Sequence, residues 1–267
     1  MDITTLLLAG AGAGTAAGLL GIGGGVIIVP VLSLVFIAEG VHPDILIKVA
    51  IGTSLATIVI TAISSIWMHH RKRAVQWSLV KIMTPGVIAG SLIGAALADL
   101  IPGYWLSVAF IVFLCGVSLQ MALGTTQGNH ELPGPWGLRT ISAGVGTVSA
   151  LMGIGGGALH VPYLSWCGIP VKHSIATAAA IGFPLALAST AGFIVAGMNE
   201  ENLPAHSIGY VNLPAFGGIV VASILFAPLG AKLAHILPDK LLKRFFAVFL
   251  FILAMRMAYD LLTKASG

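Results

Sequence analysis

The sequence predicts an all-α polytopic membrane protein built from two diverged copies of one unit. Three observations lead to this prediction. The chain is 57% hydrophobic and only 8% charged, apolar segments of membrane-spanning length recur along it, and one glycine-rich motif occurs twice. A soluble domain averages about 25% charged residues, so this chain has too few charges to face water over most of its surface. Lipid is therefore its predicted solvent.

Several apolar segments have the roughly 20 residues that one crossing of a bilayer requires. The predicted spans are residues 46–68, 78–98, 103–123, 175–197, 207–231 and 241–263. The first apolar run begins at Ile3 without a basic region before it and exceeds the length of a signal peptide, so no cleavable signal is predicted.

Two further apolar stretches, residues 3–38 and 138–169, are each interrupted by the cluster Gly-Ile-Gly-Gly-Gly. The pieces that follow the glycines, 26–38 and 158–169, are too short for a comfortable crossing. We therefore expect them to be half-helices of a hairpin whose tip lies inside the membrane.

The glycine clusters belong to an internal repeat. Gly-Ile-Gly-Gly-Gly-x4-Pro ends at Pro30 and again at Pro162, residues 50–52 match 180–182, and residues 94–102 match 230–238. The predicted organisation is a first transmembrane repeat over 1–125, a connecting loop over 126–137 and a second repeat over 138–267. Each repeat consists of a glycine-broken hairpin segment followed by three transmembrane helices.

The distribution of Lys and Arg predicts how the repeats are oriented. If each half crossed the membrane four times, 7 of these residues would lie inside and 6 outside. If each glycine-broken segment returns to the side it entered from, the two halves are inverted and the count is 10 inside against 3 outside. The positive-inside rule favours the inverted repeat. Loops 69–81 and 232–244 are then cytoplasmic, and loop 198–206 is outside.

The two glycine clusters are the strongest candidates for a functional site. Irregular backbone occurs at membrane depth only where it is buried in protein or lines a polar cavity. The start of a helix presents free N–H groups that bind anions without a basic side chain, whereas tight helix packing is the alternative role for such glycines. The candidate substrate-binding glycines are Gly23, Gly24, Gly25, Gly155, Gly156 and Gly157.

Five further residues complete the candidate substrate site. The hydroxyls of Thr53 and Ser54 could donate to an anion or bond back to their own helix. Their repeat-related positions hold Phe183 and Pro184, which would form a wall that defines shape. His160, in the second broken segment, is an intramembrane ionisable residue and hence a functional candidate, although a buried core histidine is the alternative.

The remaining polar residues exclude several functions. All nine acidic residues lie at segment ends or in loops, which argues against a cation carrier. Lys48 is expected to extend to the membrane interface, and the basic residues adjoin spans, so no nucleic-acid partner is expected. No catalytic motif is present, and the cysteines lack metal-ligand spacing. We therefore predict no enzyme activity, no metal and no cofactor.

At these residues the chain resembles the TauE/SafE family of membrane permeases, often called sulfite exporters. The resemblance covers essentially the whole chain and rests on four features. They are the duplicated Gly-x-Gly-Gly-Gly-x4-Pro units, Gly52-Thr53-Ser54, the Arg-Lys-Arg loop at 71–73, and the segment 227–234 leading to Leu237-Pro238 and Lys243-Arg244. The chain departs from the pattern at Phe183-Pro184, where many members have a second Thr-Ser.

The resemblance implies transport of a sulfur-containing anion such as sulfite or an organosulfonate across a bacterial inner membrane. Together with the repeat, it predicts a multi-pass secondary transporter, working as an exporter by alternating access around a midplane site. An anion channel is the alternative. The expected partners are a small anionic substrate and the lipid bilayer, with a homodimer as a possible assembly.

Overall fold

The structure is a computed structural model. It describes residues 10, 11, 15, 25–123, 128, 130–236 and 239–265, and for residues 227–236, 239–243, 245, 246, 264 and 265 it describes the backbone alone. Gly23 and Gly24 of the predicted site lie outside the described residues.

The described chain is helical apart from short connections and one small hairpin. The helices are α1 (Gly25–Ala38), α2 (Pro43–Arg71), α3 (Trp77–Leu100), α4 (Gly103–Leu123), α5 (Pro135–Leu151), α6 (Gly157–Trp166), α7 (Val171–Ala196), α8 (Leu213–Ile236) and α9 (Asp239–Ala265). A 3-10 turn covers Gly197–Asn199, and strands β1 (Ser207–Ile208) and β2 (Val211–Asn212) pair antiparallel.

Within the described residues, four helices have the length and composition of membrane spans. They are Pro43–Arg71, Trp77–Leu100, Gly103–Leu123 and the helical run Val171–Asn199. Each coincides with a predicted span and extends it by at most four residues at either end. The prediction of an all-α polytopic membrane protein is confirmed.

The two helices that follow the glycine clusters are short. Helix α1 has 14 residues and α6 has 10. At about 1.5 Å per residue they reach roughly 21 and 15 Å, well short of the ~30 Å hydrocarbon core. Their bounds agree with the half-helices expected over 26–38 and 158–169, although α6 ends three residues early.

The expected span over 207–231 is wrong at its start, because residues 207–212 form the hairpin and α8 begins only at Leu213. Asn212 sets this boundary. Its Oδ1 accepts the backbone N–H of Ala215 at 3.0 Å, which is the bond made by an N-cap asparagine. Pro214 follows in the first turn, where a missing N–H costs nothing.

Helices α2 and α7, which are repeat-related, pack against each other in opposite directions. At one end, His173 near the start of α7 contacts the Ala74 carbonyl just beyond α2. At the other, Tyr210 packs against Gly52 in the first half of α2 and bonds to Phe193 near the end of α7. An inverted repeat requires this antiparallel course. The sidedness of the loops stays a prediction.

Helices α3 and α5 approach each other through glycines. Gly86, Gly90 and Gly94 occupy one stripe of α3, and a Cβ at each would collide with a backbone carbonyl of α5, those of Arg139, Ala143 and Thr147. The Thr147 hydroxyl donates to the Gly90 carbonyl at 3.0 Å. Because lipid supplies no hydrophobic drive between helices, such close backbone contact is a main source of their association.

We expect Gly90→Ala to destabilise the protein, because the added methyl would force the Ala143 carbonyl away from α3. Overpacking of this kind costs about 1–3 kcal/mol. Gly144→Ala on α5 is the matched control, since a Cβ there meets nothing within 4 Å and alanine favours a helix by up to about 1 kcal/mol over glycine. Thermal unfolding in detergent should separate the two variants. Equal melting temperatures would contradict the glycine contact.

The inverted topology predicts that loops 69–81 and 198–206 lie on opposite sides of the membrane. Single cysteines at Lys72 and Glu200, introduced after replacing Cys115 and Cys167 by alanine, should react with an impermeant maleimide from the cytoplasmic and external sides respectively. Reaction of both cysteines from one side would show that the orientation is wrong.

Candidate functional site

The second glycine break begins where α5 ends. Gly153 has φ +65°, and the Ile154 N–H turns back to the Ser149 carbonyl at 3.0 Å. This is a helix C-terminus closed by a left-handed glycine. A Cβ on Gly153 would also lie 2.8 Å from Val29 Cγ2 and 3.0 Å from the Ile51 Cα. Conformation and space therefore both require glycine at this position.

The backbone after Ile154 carries N–H groups that have no acceptor in the described part of the chain. Gly155 and Gly156 are buried, and Gly157 is the first residue of α6. Among the described residues, none accepts a hydrogen bond from the amides of these three glycines, and the first N–H of this turn with a partner is that of His160, to the Gly156 carbonyl at 2.9 Å. Buried amides are nearly always paired. These N–H groups could therefore donate to an anion at the start of α6.

The first glycine break meets the second. Gly25, the first residue of α1, is buried, and a Cβ on it would lie 2.8 Å from the Gly153 carbonyl oxygen and 2.9 Å from the Ile154 Cα. Ile58 of α2 covers both breaks, since its side chain lies 2.9 Å from that Gly25 position and 3.4 Å from the equivalent position on Gly155. The starts of α1 and α6 therefore converge beside α2.

Thr53 and Ser54 lie fully buried next to the breaks. Ser54 donates to the Gly153 carbonyl at 2.8 Å, so it braces the second break instead of bonding back along its own helix. Thr53 accepts the backbone N–H of Asn212 at 3.0 Å, which leaves the Thr53 proton free to be donated elsewhere. Of the two hydroxyls, Thr53 is the better placed to bind a ligand.

His160 is completely buried on α6. Its Nδ1 lies 2.9 Å from the Gly156 carbonyl oxygen, and because a carbonyl only accepts, Nδ1 must carry a proton in that bond. Nε2 has no partner among the described residues. The histidine thus holds the first turn of α6 through Nδ1 and keeps one ring nitrogen available.

Phe183 and Pro184 are half-buried on α7, directly after Gly182. A Cβ on Gly156 would lie 3.4 Å from the Gly182 Cα and 3.3 Å from the Ala178 carbonyl oxygen. Helix α7 therefore passes the second break at the position expected from the repeat. The counterparts of Thr53 and Ser54 are less buried than those hydroxyls.

The sequence did not predict a polar cluster at the other side of Gly52. Lys48, expected to extend to the membrane interface, is instead enclosed by protein: only 8% of it is exposed, and its Nζ donates to the Asp99 main-chain carbonyl at 2.6 Å. Tyr210 donates to Asp99 Oδ1 at 2.8 Å. Burial and this hydrogen bond raise the pKa of Tyr210, so its phenol remains a donor.

Asn212 was also missed, although the sequence holds a signal for it. Asparagine followed by Leu213 and Pro214 is a typical helix start, but the apolar run was assigned to one continuous span. The described residues bring together no set of three His, Cys, Asp or Glu side chains that could hold a metal ion.

Comparison with known proteins agrees with this architecture. The family model described as Sulfite exporter TauE/SafE matches residues 6–257. The chain belongs to the TauE/SafE family. It is a multi-pass membrane protein of that family, and the resemblance carried by the duplicated glycine motif is thereby confirmed.

Relatives from three organisms align with most of the chain. The chain is 35% identical over 257 residues to a "Probable membrane transporter protein" of Haemophilus influenzae, covering 96% of this chain and 97% of the relative. It is 30% identical to a Bacillus subtilis protein, with 74% and 80% covered. It is 27% identical to a Methanocaldococcus jannaschii protein, with 89% and 88% covered. No solved structure matches the chain.

Two alanine substitutions in the second glycine break should have different effects. Gly155→Ala places a methyl at ordinary contact distance from Ile58, so the protein should fold normally while the methyl shields the free amides. Transport should fall about tenfold or more, the worth of one hydrogen bond to a charged group. Gly153→Ala adds a Cβ in the left-handed region, at a cost of about 1–2 kcal/mol, and should lower the melting temperature.

Measuring melting temperature and transport rate on both variants separates binding from packing. Normal transport by well-folded Gly155→Ala protein would contradict a ligand at these amides.

Proposed function

We propose that this protein is a secondary transporter that moves a small sulfur-containing oxyanion, sulfite or an organosulfonate, across the bacterial inner membrane, with export as its direction. The family's description as sulfite exporter and the relatives' names as probable membrane transporters support the substrate class and the activity. The chemistry that binds the anion is argued from the glycine breaks.

The unpaired amides at the start of α6 carry this proposal. Three successive glycines, the buried Gly155 and Gly156 and the half-buried Gly157, have N–H groups with no acceptor within the described chain. Sulfite and a sulfonate group each carry several acceptor oxygens on one sulfur atom, and the helix N-terminus adds roughly half a positive charge. The amides do not titrate, so the donors that the site offers would stay the same over the physiological pH range.

The surroundings supply the remaining contacts. The proton of Thr53 can be donated to an anion oxygen while its oxygen accepts from Asn212. Ile58 and the half-buried Phe183 offer apolar surface to the alkyl group of an organosulfonate. Because α2 and α7 run antiparallel beside the converging breaks, rocking of one half against the other would expose the site to each side in turn, as in inverted-repeat carriers.

Purified protein in proteoliposomes tests the function. We expect saturable uptake of sulfite or sulfoacetate, acceleration by the same anion trapped inside, and weaker competition by sulfate. Counterflow requires a carrier that binds and reorients. Conductance that rises linearly with anion concentration, without counterflow, would instead identify an anion channel.

The hydroxyl at position 53 supplies a residue-level test of the same site. Thr53→Ser keeps the hydroxyl and should retain the apparent affinity for the transported anion. Thr53→Ala removes both the donor to the anion and the acceptor for the Asn212 amide, and should weaken affinity by about 0.5–1.5 kcal/mol. Equal affinity in the serine and alanine variants, measured by competition in the same vesicles, would remove Thr53 from the site.

A further inference from the structure

The connection between α7 and α8 folds back into the protein. Its hairpin, Ser207–Asn212, carries Tyr210, which is 2% exposed. The Tyr210 carbonyl lies so close to α2 that a Cβ on Gly52 would come within 2.5 Å of it. The hairpin thus packs against the side of α2 next to Thr53. An ordinary surface loop would instead pass over the ends of the helices.

Two polar contacts hold the tip of the hairpin in place. The Tyr210 hydroxyl donates to Asp99 Oδ1 at 2.8 Å at the end of α3, and the Lys48 ammonium lies 5.7 Å from the centre of the tyrosine ring. Lys48 is itself fixed by the Asp99 main-chain carbonyl. These bonds join three separate elements through side chains and can be broken without unfolding any helix.

Asn212, at the base of the hairpin, separates a surface cavity from Thr53. Its side chain donates to the Ala205 carbonyl at 3.2 Å, and its backbone N–H donates to Thr53 Oγ1 at 3.0 Å. Ala205 lines an open cavity of about 810 Å³ between residues 35–42 and 202–205. A solute entering this cavity would meet the hairpin before it could reach Thr53.

The repeat-related connection between α2 and α3 contacts its helix nearer to the helix end than the hairpin does. By the match of residues 94–102 to 230–238, Asn212 corresponds to Gln76, whose N–H donates to Thr177 Oγ1 at 3.1 Å. By the match of 50–52 to 180–182, Thr177 corresponds to Ile47, which lies six residues before Thr53. At about 1.5 Å per residue, the hairpin meets its helix roughly 9 Å deeper than its counterpart does.

The burial of the two repeat-related helices has the same asymmetry. Residues 45–58 of α2 are all buried, whereas Phe183 and Pro184 of α7 are only half-buried. The structure is therefore closed more tightly on the hairpin side than on the side of Gln76.

From this asymmetry we propose that the hairpin Ser207–Asn212 is the gate between the cavity and the substrate site, with Tyr210 and Asp99 as its latch. This inference rests on the proposed function, because it requires Thr53 to line the transport path. Opening breaks the Tyr210–Asp99 bond at the tip and the Asn212–Thr53 bond at the base. The Thr53 hydroxyl joins gate to site, since it accepts from the gate while it donates to the anion.

Thiol accessibility tests the gate. Gly155→Cys supplies a probe in the substrate site of protein whose Cys115 and Cys167 are replaced by alanine, and an impermeant trimethylammonium methanethiosulfonate is applied from each side of the membrane. With the latch intact, modification from the side of loop 198–206 should be slow. Tyr210→Phe keeps the ring against Gly52 but removes the latch hydroxyl, and should speed modification from that side about threefold to tenfold.

Two control variants complete the experiment. Tyr104→Phe removes a phenol from an exposed position on α4 and should leave the rate unchanged. Asp99→Asn keeps an acceptor for Tyr210 and should change the rate less than Tyr210→Phe does. If the probe reacts but Tyr210→Phe leaves its rate unchanged, the gate is wrong and the site stands. If the probe reacts from neither side, the substrate site itself is wrong.

Discussion

The whole arrangement depends on the requirement that irregular backbone inside a membrane be enclosed by protein. A helix that breaks inside a membrane leaves free carbonyls at the end of its first piece and free N–H groups at the start of its second. Lipid can form hydrogen bonds with neither. Here the carbonyl of Gly153 accepts a hydrogen bond from Ser54, while the amides of the following glycines have no acceptor among the described residues. The protein therefore buries α2 almost completely along residues 45–58 to seal this region from lipid.

The same requirement explains why the repeat is built as it is. Glycine allows the backbones of α1, α2 and the second break to contact one another, as at Gly25 and Gly153. The glycine stripe of α3 allows the same backbone contact with α5. In the proposed transporter, the few side chains near the breaks, those of Thr53, Ile58 and Phe183, would discriminate between anions. Nε2 of His160, which has no partner in the described part of the chain, lies within this enclosed region.

Sequence patterns predicted the features that follow from composition and local chemistry. Apolar length predicted α2, α3, α4 and α7, and loss of helix propensity predicted the break at 153–156. The hairpin at 207–212 was not predicted, because hydropathy alone does not distinguish an apolar hairpin from the helix that follows it. The burial of Lys48 was not predicted, because a lysine near the end of a span is expected to reach water. Both depend on a distant partner, Asp99, which no local pattern identifies. The contact between Thr53 and Asn212 spans 159 residues and was beyond prediction for the same reason.

Hydrogen–deuterium exchange tests most directly whether the free amides of the second break hold the anion. Exchange in a peptide covering residues 153–160 should slow when sulfite or sulfoacetate is added at saturating concentration, because anion oxygens would occupy the N–H groups of Gly155, Gly156 and Gly157. Peptides from α4 and α9 should exchange as before. Unchanged exchange at 153–160 under conditions where the protein transports that anion would contradict the account.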